Sequence, residues 1–251
     1  TGLGFEKFYG FIGAETDQWR PAVFDGTNPV EPYLGNPDYN FDYDLADRAI
    51  EWVRVQKAVA PDKPFFLYYA PGATHSPHHP KKEWITKYKG KFDQGWDKVR
   101  DETLARQKKR GIVPENTKLT ERSRGLPAWD SLTAEQKQLY AYMMEVYAGY
   151  LSQTDYNVGR VLDAIEKLGQ MDNTLIIYIC GDNGASGEGR LQGSYNEMAM
   201  LNMIPEDLKE ILKQKDNLGT WKTHNHYPAA WAHAMCAPFQ WLKTNASHYG
   251  G

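Results

Sequence analysis

This chain of 251 residues has few cysteines, no long apolar run and no excess of basic residues. The two cysteines, Cys180 and Cys236, are too few for a disulfide-built scaffold and leave the redox compartment open. No apolar run approaches the roughly twenty residues that a membrane-spanning helix needs, so no membrane span is expected. The formal net charge is −3, and no basic face indicates nucleic-acid binding. The abundance of Tyr, Trp and Gly instead favours an enzyme with long irregular loops.

Helix and strand signals alternate along the chain. Helices are predicted at about 43–60, at about 133–168 and at about 205–214, and strands at 65–69 and 175–180. The second helix begins at a capping box formed by Thr133 and Gln136 and ends at Gly169. The run at 175–180 is apolar without polar alternation, as in a parallel strand covered on two faces, and 65–69 is predicted to be a short buried strand. The pattern predicts an α/β fold with a mixed, mostly parallel sheet between helices.

Two other segments complete this organisation. Residues up to about 42 are rich in Gly, Pro and aromatic side chains and are predicted to form loops with short strands. Residues at about 77–126 carry many charges and are predicted to form an exposed helical excursion from the domain. The sequence starts and stops without an element at either end. We therefore expect the whole of 1–251 to be the central part of one catalytic domain, incomplete at both ends.

The stretch 175–184 is the most informative in the sequence. Six apolar or β-branched residues stop at a glycine, and Asp182 and Asn183 follow at once. Ligands of α/β proteins bind beyond the carboxyl ends of strands, and paired oxygen side chains there suit a hard cation such as Ca²⁺. The alternative is an Asn-Gly turn in which Asp182 only caps the loop. Spacing alone does not decide between these two interpretations.

A count of ligands qualifies the metal interpretation. Ca²⁺ takes about six to eight oxygens, and this motif offers two side chains. The rest of the chain has no convincing second acidic cluster. If a metal binds here, part of its coordination shell lies outside these residues.

A cluster of histidines follows the first predicted strand. His75 lies just beyond that strand's carboxyl end, on the edge of the sheet that also carries Asp182, where an imidazole can protonate a leaving group. His78 and His79 suggest zinc, but Pro77 and Pro80 prevent the helical spacing that such sites often use. For His78 and His79 the preferred interpretation is exposed loop residues.

A third cluster lies near the end of the sequence. His226 stands in the string Asn225-His226-Tyr227-Pro228, and Lys243 follows an apolar segment that contains Phe239 and Trp241. A lysine near an anion site can neutralise the negative charge that develops on a leaving oxygen. A lysine in such a position is more often simply exposed.

These motifs carry a family resemblance that spans nearly the whole chain in the family's own order. The strings are Gly4-Phe-Glu-Lys-Phe-Tyr-Gly-Phe11, Glu15-Thr-Asp-Gln-Trp19, Pro64-Phe-Phe-Leu-Tyr-Tyr69, Thr74-His75-Ser76-Pro77, Gly181-Asp182-Asn183-Gly184 and Asn225-His226-Tyr227-Pro228, followed by Lys243. The chain resembles a type I sulfatase, in the arylsulfatase branch of the alkaline-phosphatase superfamily.

The resemblance implies roles for individual residues. Asp182 and Asn183 match a pair that completes the shell of one Ca²⁺ ion, which Mg²⁺ or Mn²⁺ can replace. His75 and Lys243 match catalytic residues that contact the sulfate, and His75 is also placed to assist the leaving oxygen. His226 is a weaker candidate for lining the substrate pocket. The implied partner is a small-molecule sulfate ester.

The sequence also departs from the family. The family's nucleophile is a formylglycine made within a Cys/Ser-x-Pro/Ala-x-Arg string, upstream of every motif found here. Cys236 begins a similar string, but Gln240 stands where Arg is required, so Cys236 is predicted to be a small buried residue. We expect the isolated 251 residues to be inactive and the full-length protein to be a sulfuric ester hydrolase. Two alternatives remain open: a phosphate or phosphonate ester hydrolase of the same superfamily, and a non-catalytic binder of anionic glycans.

Overall fold

The computed structural model describes residues 4–181, 183–243 and 245, with the backbone alone at 200 and 201. Three short strands, β1 (Tyr9–Gly10), β2 (Val23–Asp25) and β3 (Asn28–Val30), pair antiparallel in that order. The helices are α1 (Phe41–Val59), α2 (Lys82–Thr86), α3 (Gly95–Lys109), α4 (Ala134–Lys167), α5 (Glu197–Leu201), α6 (Leu208–Lys213) and α7 (Ala229–Met235). Short 3₁₀ turns occur at Trp129–Ser131, Met171–Asn173 and Lys215–Asn217.

Helix α4 is the longest element and organises the fold. Its first turn is closed by the predicted capping box: the amide of Gln136 donates to Thr133 Oγ1 at 3.2 Å, and the amide of Thr133 donates to Gln136 Oε1 at 2.9 Å. The helix ends at Lys167, and Gly169 follows with a φ of +66°. Glycine adopts this left-handed conformation without the steric cost that other residues incur. The predicted start and end of this helix are confirmed.

Helix α1, also predicted, packs against α4 through a buried carboxylate and a small apolar seam. Oδ2 of Asp42 accepts hydrogen bonds from Gln153, Thr154 and Asn157 at 3.0–3.2 Å. Ala46 and Ala49 of α1 lie against Val161 and Ile165 of α4. The acidic start of α1 is therefore fixed to the middle of α4, where a burial cost is offset by several donors.

The largest core joins α3, α4 and α7. The rings of Trp96 and Trp231 meet edge to face, with centroids 5.7 Å apart, and Trp129 packs against both. Arg100 of α3 is 5% exposed, and its guanidinium donates to the backbone oxygens of His233 and Phe239 at 2.6 and 2.8 Å. The segment 77–126 is therefore not wholly exposed, because Ile85 and Trp96 belong to this core.

The two predicted buried strands are wrong for this structure. Residues 65–69 and 175–180 form no strand, and Ile177 and Ile179 are 72% and 83% exposed. Cys180, which was placed on the second strand, is exposed as well. The physical reason is that a strand exists only through hydrogen bonds to a neighbour, and no strand within the described ranges pairs with either segment.

No helix in the described part of the chain combines the length and the apolar character needed to cross a membrane.

Candidate active site

Two residues predicted from distant parts of the sequence meet in space. Nζ of Lys243 lies 3.2 Å from Nε2 of His75, although 168 positions separate them. The ammonium can only donate, so Nε2 of this imidazole is the acceptor. The two side chains are 26% and 37% exposed, and an anion can therefore reach both from solvent.

The other nitrogen of His75 is held from behind. Nδ1 lies 3.0 Å from the backbone oxygen of Ser76 and 3.2 Å from Oε2 of Glu15. Both partners are acceptors, so Nδ1 carries the proton. Burial raises the pKa of Glu15, and the positive charge that His75 can carry opposes this rise. Glu15 therefore fixes the tautomer that leaves Nε2 turned toward Lys243.

The backbone places Lys243 beside a glycine-rich loop at 184–193. Its amide donates to the oxygen of Ala185 at 3.0 Å, and its Nζ lies 3.4 Å from Oε2 of Glu188. Burial alone would raise the pKa of Glu188, but a hydrogen bond from Ser186 and the charge of Lys243 hold it below its usual value. Lys243 is thus flanked by a carboxylate on one side and His75 on the other.

Gly189 explains how this loop approaches the segment that carries His226. A Cβ atom at position 189 would lie 2.0 Å from the backbone oxygen of Tyr227 and 2.8 Å from Nδ1 of His226. Only glycine fits such an approach. The backbones of Ser194 and His226 also exchange two hydrogen bonds, at 2.9 and 3.0 Å.

His226 is a buried residue at the back of the site. It is 1% exposed, its Nδ1 lies 2.9 Å from the backbone oxygen of Tyr227, and its Nε2 lies 3.1 Å from Oγ of Ser186. Burial lowers the pKa of His226 to about 4, so the ring is neutral at physiological pH. The role predicted for it, lining the substrate pocket, stays a prediction.

Three side chains of the site form a group that could hold a metal ion. One ligand atom each from Glu188, Glu197 and His226 lies within 4.8 Å of the others. Burial raises the pKa of Glu197 to about 7, and burial lowers the pKa of the neighbouring His224 to about 4. His224 bridges the two acidic positions of the site, with Nε2 3.4 Å from Oε1 of Glu15 and Nδ1 3.8 Å from Oε2 of Glu197.

The structure corrects the exposed placement of His78 and His79, which are 1% and 0% exposed. Nε2 of His79 donates to the backbone oxygen of Thr223 at 2.6 Å, and the His78 ring stacks on Tyr227 at a centroid distance of 5.1 Å. The amide of His78 also donates to the oxygen of Asn225 at 3.3 Å. The loop that carries His78 and His79 is buried because the segment 223–227 lies across it.

The other predicted positions divide into two groups. Cys236 is 8% exposed, and its Sγ accepts from the amide of Ala185 at 3.2 Å, which confirms a small buried residue. Asn183 is exposed, and Asp182 lies outside the described residues, so the metal pair stays a prediction.

Sequence reasoning did not assign roles to four residues that surround His75 and Lys243: Glu15, Glu188, Glu197 and His224. Glu15 stands within one of the strings that carry the family resemblance, and that was its only signal. Glu188 lies in the glycine-rich stretch after Asn183, where close backbone packing could have been expected. Spacing offers no signal for Glu197 or His224.

Most of the chain matches the sequence model of one protein family. The sequence model of the Sulfatase family matches residues 1–235. The chain belongs to the sulfatase family. A sulfatase of Schizosaccharomyces pombe described as uncharacterized is 33% identical over 250 residues, which cover 94% of this chain and 43% of that protein. An arylsulfatase of Klebsiella aerogenes is 29% identical over 259 residues, which cover 99% of this chain and 53% of that protein.

The chain therefore spans about half the length of the curated relatives it matches. Among solved structures, the crystal structure of Ps i-CgsB matches with a TM-score of 0.40 and 20% identity, over 68% of this chain and 31% of that one. The family match gives the chain the α/β fold class of the sulfatases, of which the described residues contain helices and an incomplete sheet. Sulfatases act on sulfate esters and generally bind a divalent metal.

Proposed function

We propose that the full-length protein hydrolyses sulfate esters of small molecules in the manner of an arylsulfatase. The observation that carries the proposal is the contact between His75 and Lys243, which the sequence resemblance assigns to catalysis and which lie 3.2 Å apart and open to solvent. The arylsulfatase of Klebsiella aerogenes, matched over 99% of this chain, supports the same reaction class.

Each of the two residues has a distinct task in the proposed reaction. The ammonium of Lys243 binds a sulfate oxygen and balances negative charge as the ester bond breaks. Nδ1 of His75 keeps its proton between Glu15 and the backbone oxygen of Ser76. Once Lys243 has turned to the sulfate, Nε2 takes up a second proton from solvent and passes it to the departing oxygen. Both tasks need a water-accessible pocket in the free protein, as the partial exposure of the two side chains provides.

The proposed metal ligands are Asp182 and Asn183. A carboxylate and an amide oxygen are donors that suit Ca²⁺, and Asn183 is exposed, as an open coordination position requires. Bound Ca²⁺, or Mg²⁺ or Mn²⁺ in its place, would act as a Lewis acid on the ester oxygens. We expect the formylglycine nucleophile to lie outside these 251 residues.

The test is an activity assay of the full-length protein with an aryl sulfate, an aryl phosphate and an aryl phosphonate. We expect turnover of the sulfate, and a fall of about 10²- to 10⁴-fold in kcat/KM for His75→Gln and for Lys243→Met. Lys109→Met is the matched control, because Lys109 is exposed on α3, away from the site, and should leave the rate unchanged.

Three outcomes would contradict the proposal. A preference for the phosphate or phosphonate would indicate the phosphoester branch of the superfamily. Binding of anionic glycans without turnover of any ester would indicate a binding protein. Wild-type rates in both site variants would remove His75 and Lys243 from the mechanism.

A further inference from the structure

The group Glu188, Glu197 and His226 differs from the predicted calcium pair in its chemistry. It combines two carboxylates with an imidazole, and its ligand atoms lie within 4.8 Å of one another. Hard cations such as Ca²⁺ prefer oxygen alone, whereas imidazole with carboxylates suits zinc and related transition ions.

His226 is arranged as metal-bound histidines usually are. Its Nδ1 donates to the backbone oxygen of Tyr227 at 2.9 Å, which leaves the lone pair of Nε2 for another partner. That partner in the structure is Oγ of Ser186 at 3.1 Å. The hydroxyl has one proton, and Oε2 of Glu188, at 2.6 Å, competes for it. When Ser186 donates to Glu188, the buried Nε2 has no donor. A backbone hydrogen bond at the opposite nitrogen is the usual support of a ligating imidazole.

Glu197 provides the second, independent observation. Its side chain is 3% exposed, and its Oε2 makes no hydrogen bond within the described part of the chain. The nearest histidine nitrogen, Nδ1 of His224, is 3.8 Å from it, which is too long for a hydrogen bond. Oγ of Ser194, also buried, lacks a partner among the described residues as well. A buried carboxylate oxygen without a donor is costly unless a proton or a cation satisfies it, and a cation at this group would satisfy it.

The positive charge of Lys243 is the main factor that opposes the binding of a cation at this group. Lys243 lies 3.4 Å from Oε2 of Glu188, so an ion at this group would share that carboxylate with an ammonium. The carboxylate of Glu188 has a second oxygen, for which the described residues provide no hydrogen bond. The two carboxylates together carry two negative charges, which equal the charge of one divalent ion, and Lys243 adds one positive charge beside them.

We propose that Glu188, Glu197 and His226 bind a divalent transition-metal ion of the zinc type, at a site separate from the one predicted at Asp182 and Asn183. Such an ion would join the loop that carries Glu188 to the start of α5 and to the segment 224–227. Its role would be to hold these three segments together behind Lys243. This inference does not depend on the proposed hydrolysis of sulfate esters.

The experiment measures how many Zn²⁺ ions the full-length protein binds and with what affinity. Protein stripped with a chelator is titrated with Zn²⁺ by calorimetry, and bound metal is measured by elemental analysis after dialysis. We expect wild type and Asp182→Ala to bind one equivalent of Zn²⁺ with the same affinity. Glu197→Gln and His226→Gln should bind that equivalent at least tenfold more weakly. Zn²⁺ should also raise the thermal midpoint of wild type and of Asp182→Ala, and not that of the other two variants.

Glu188→Gln is the companion variant if the two buried substitutions impair folding, because Glu188 is only half-buried. It should also weaken the same Zn²⁺ equivalent while circular dichroism confirms a folded protein. The proposal would be overturned if folded Glu188→Gln and Glu197→Gln bound Zn²⁺ like wild type. It would equally be overturned if Asp182→Ala abolished all Zn²⁺ binding, since a single site would then account for the metal.

Discussion

At the scale of single residues, Glu15 sets the orientation of His75, the histidine for which we propose a catalytic role. Its Oε2 and the backbone oxygen of Ser76 both lie near Nδ1 of His75, and Nε2 is thereby left for Lys243 and for substrate. Glu15 also lies 3.4 Å from His224 through its other oxygen. It touches none of the atoms that the proposed reaction changes, so we class it as a positioning residue.

We expect Glu15→Gln in the full-length protein to lower kcat about tenfold with little change in KM. The reason is that a charge-assisted hydrogen bond is worth about 1.5–3 kcal/mol, and tenfold in rate corresponds to about 1.4 kcal/mol. The Nδ1–H signal of His75 in ¹⁵N-edited NMR should weaken as the tautomer loses its partner. Glu115→Gln, at an exposed position, serves as the control. An unchanged tautomer together with an unchanged kcat would show that the backbone of Ser76 suffices.

The sequence predicted some residues of the site and not others for a physical reason. His75 and Lys243 stand in recognisable strings, so they could be named although only folding brings them 3.2 Å apart. Glu197 takes part because its backbone amide pairs with the oxygen of His224, a contact set by two loops crossing. No local pattern encodes such a crossing. The same holds for His79, whose burial depends on a hydrogen bond to Thr223.

At the scale of elements, α2 crosses α4 with the two backbones in close contact. A Cβ atom at Gly149 of α4 would lie 2.9 Å from the backbone nitrogen of Ile85 and 2.9 Å from the carbonyl carbon of Trp84. Gly159 lies in the same helix with nothing within 4 Å of the equivalent position. The two glycines therefore form a matched pair in one element.

We expect Gly149→Ala to lower the free energy of unfolding by about 1–3 kcal/mol, because backbone atoms of α2 must move to admit the methyl group. Gly159→Ala should instead raise it by up to about 1 kcal/mol, because alanine has a higher helix propensity than glycine and its methyl group meets no other atom there. Urea titration of both variants in the full-length protein measures the difference. Equal effects of the two substitutions would contradict the close packing of α2 on α4.

Helices were predictable from the sequence where strands were not. The capping box of Thr133 and Gln136 marks the start of α4, and the backbone hydrogen bonds of the helix form within the helix itself. A strand needs a second strand to pair with, and the apolar run at 175–180 predicts burial but does not indicate which strand that is. Strands β2 and β3 pair across the tight turn at Gly26 and Thr27, and the loop-and-strand prediction for the start of the chain agrees with the structure over residues 4–40.

At the scale of the whole molecule, the unpaired apolar run stands out. Five consecutive residues, 175–179, are 43–85% exposed, and Phe66 and Tyr68 of the other run are 73% and 70% exposed. Folded proteins rarely leave contiguous apolar surface of this kind uncovered, and a contiguous patch indicates an interface. The chain spans 43% and 53% of its two curated relatives. We therefore retain the proposal that these residues are the central part of a larger catalytic domain, with further chain against this run.

The proposal is tested by a charge placed on the run in the full-length protein. We expect Ile177→Lys to lower the free energy of unfolding by more than about 2 kcal/mol, because a covered position cannot solvate the ammonium. Val59→Lys is the matched control: Val59 ends α1 and is 80% exposed against 72% for Ile177. A lysine at an isolated exposed position should change stability by no more than about 0.5 kcal/mol. If both substitutions had that small effect, Ile177 would be as exposed in the full-length protein as it is in these 251 residues, and the larger domain would lose its main physical support.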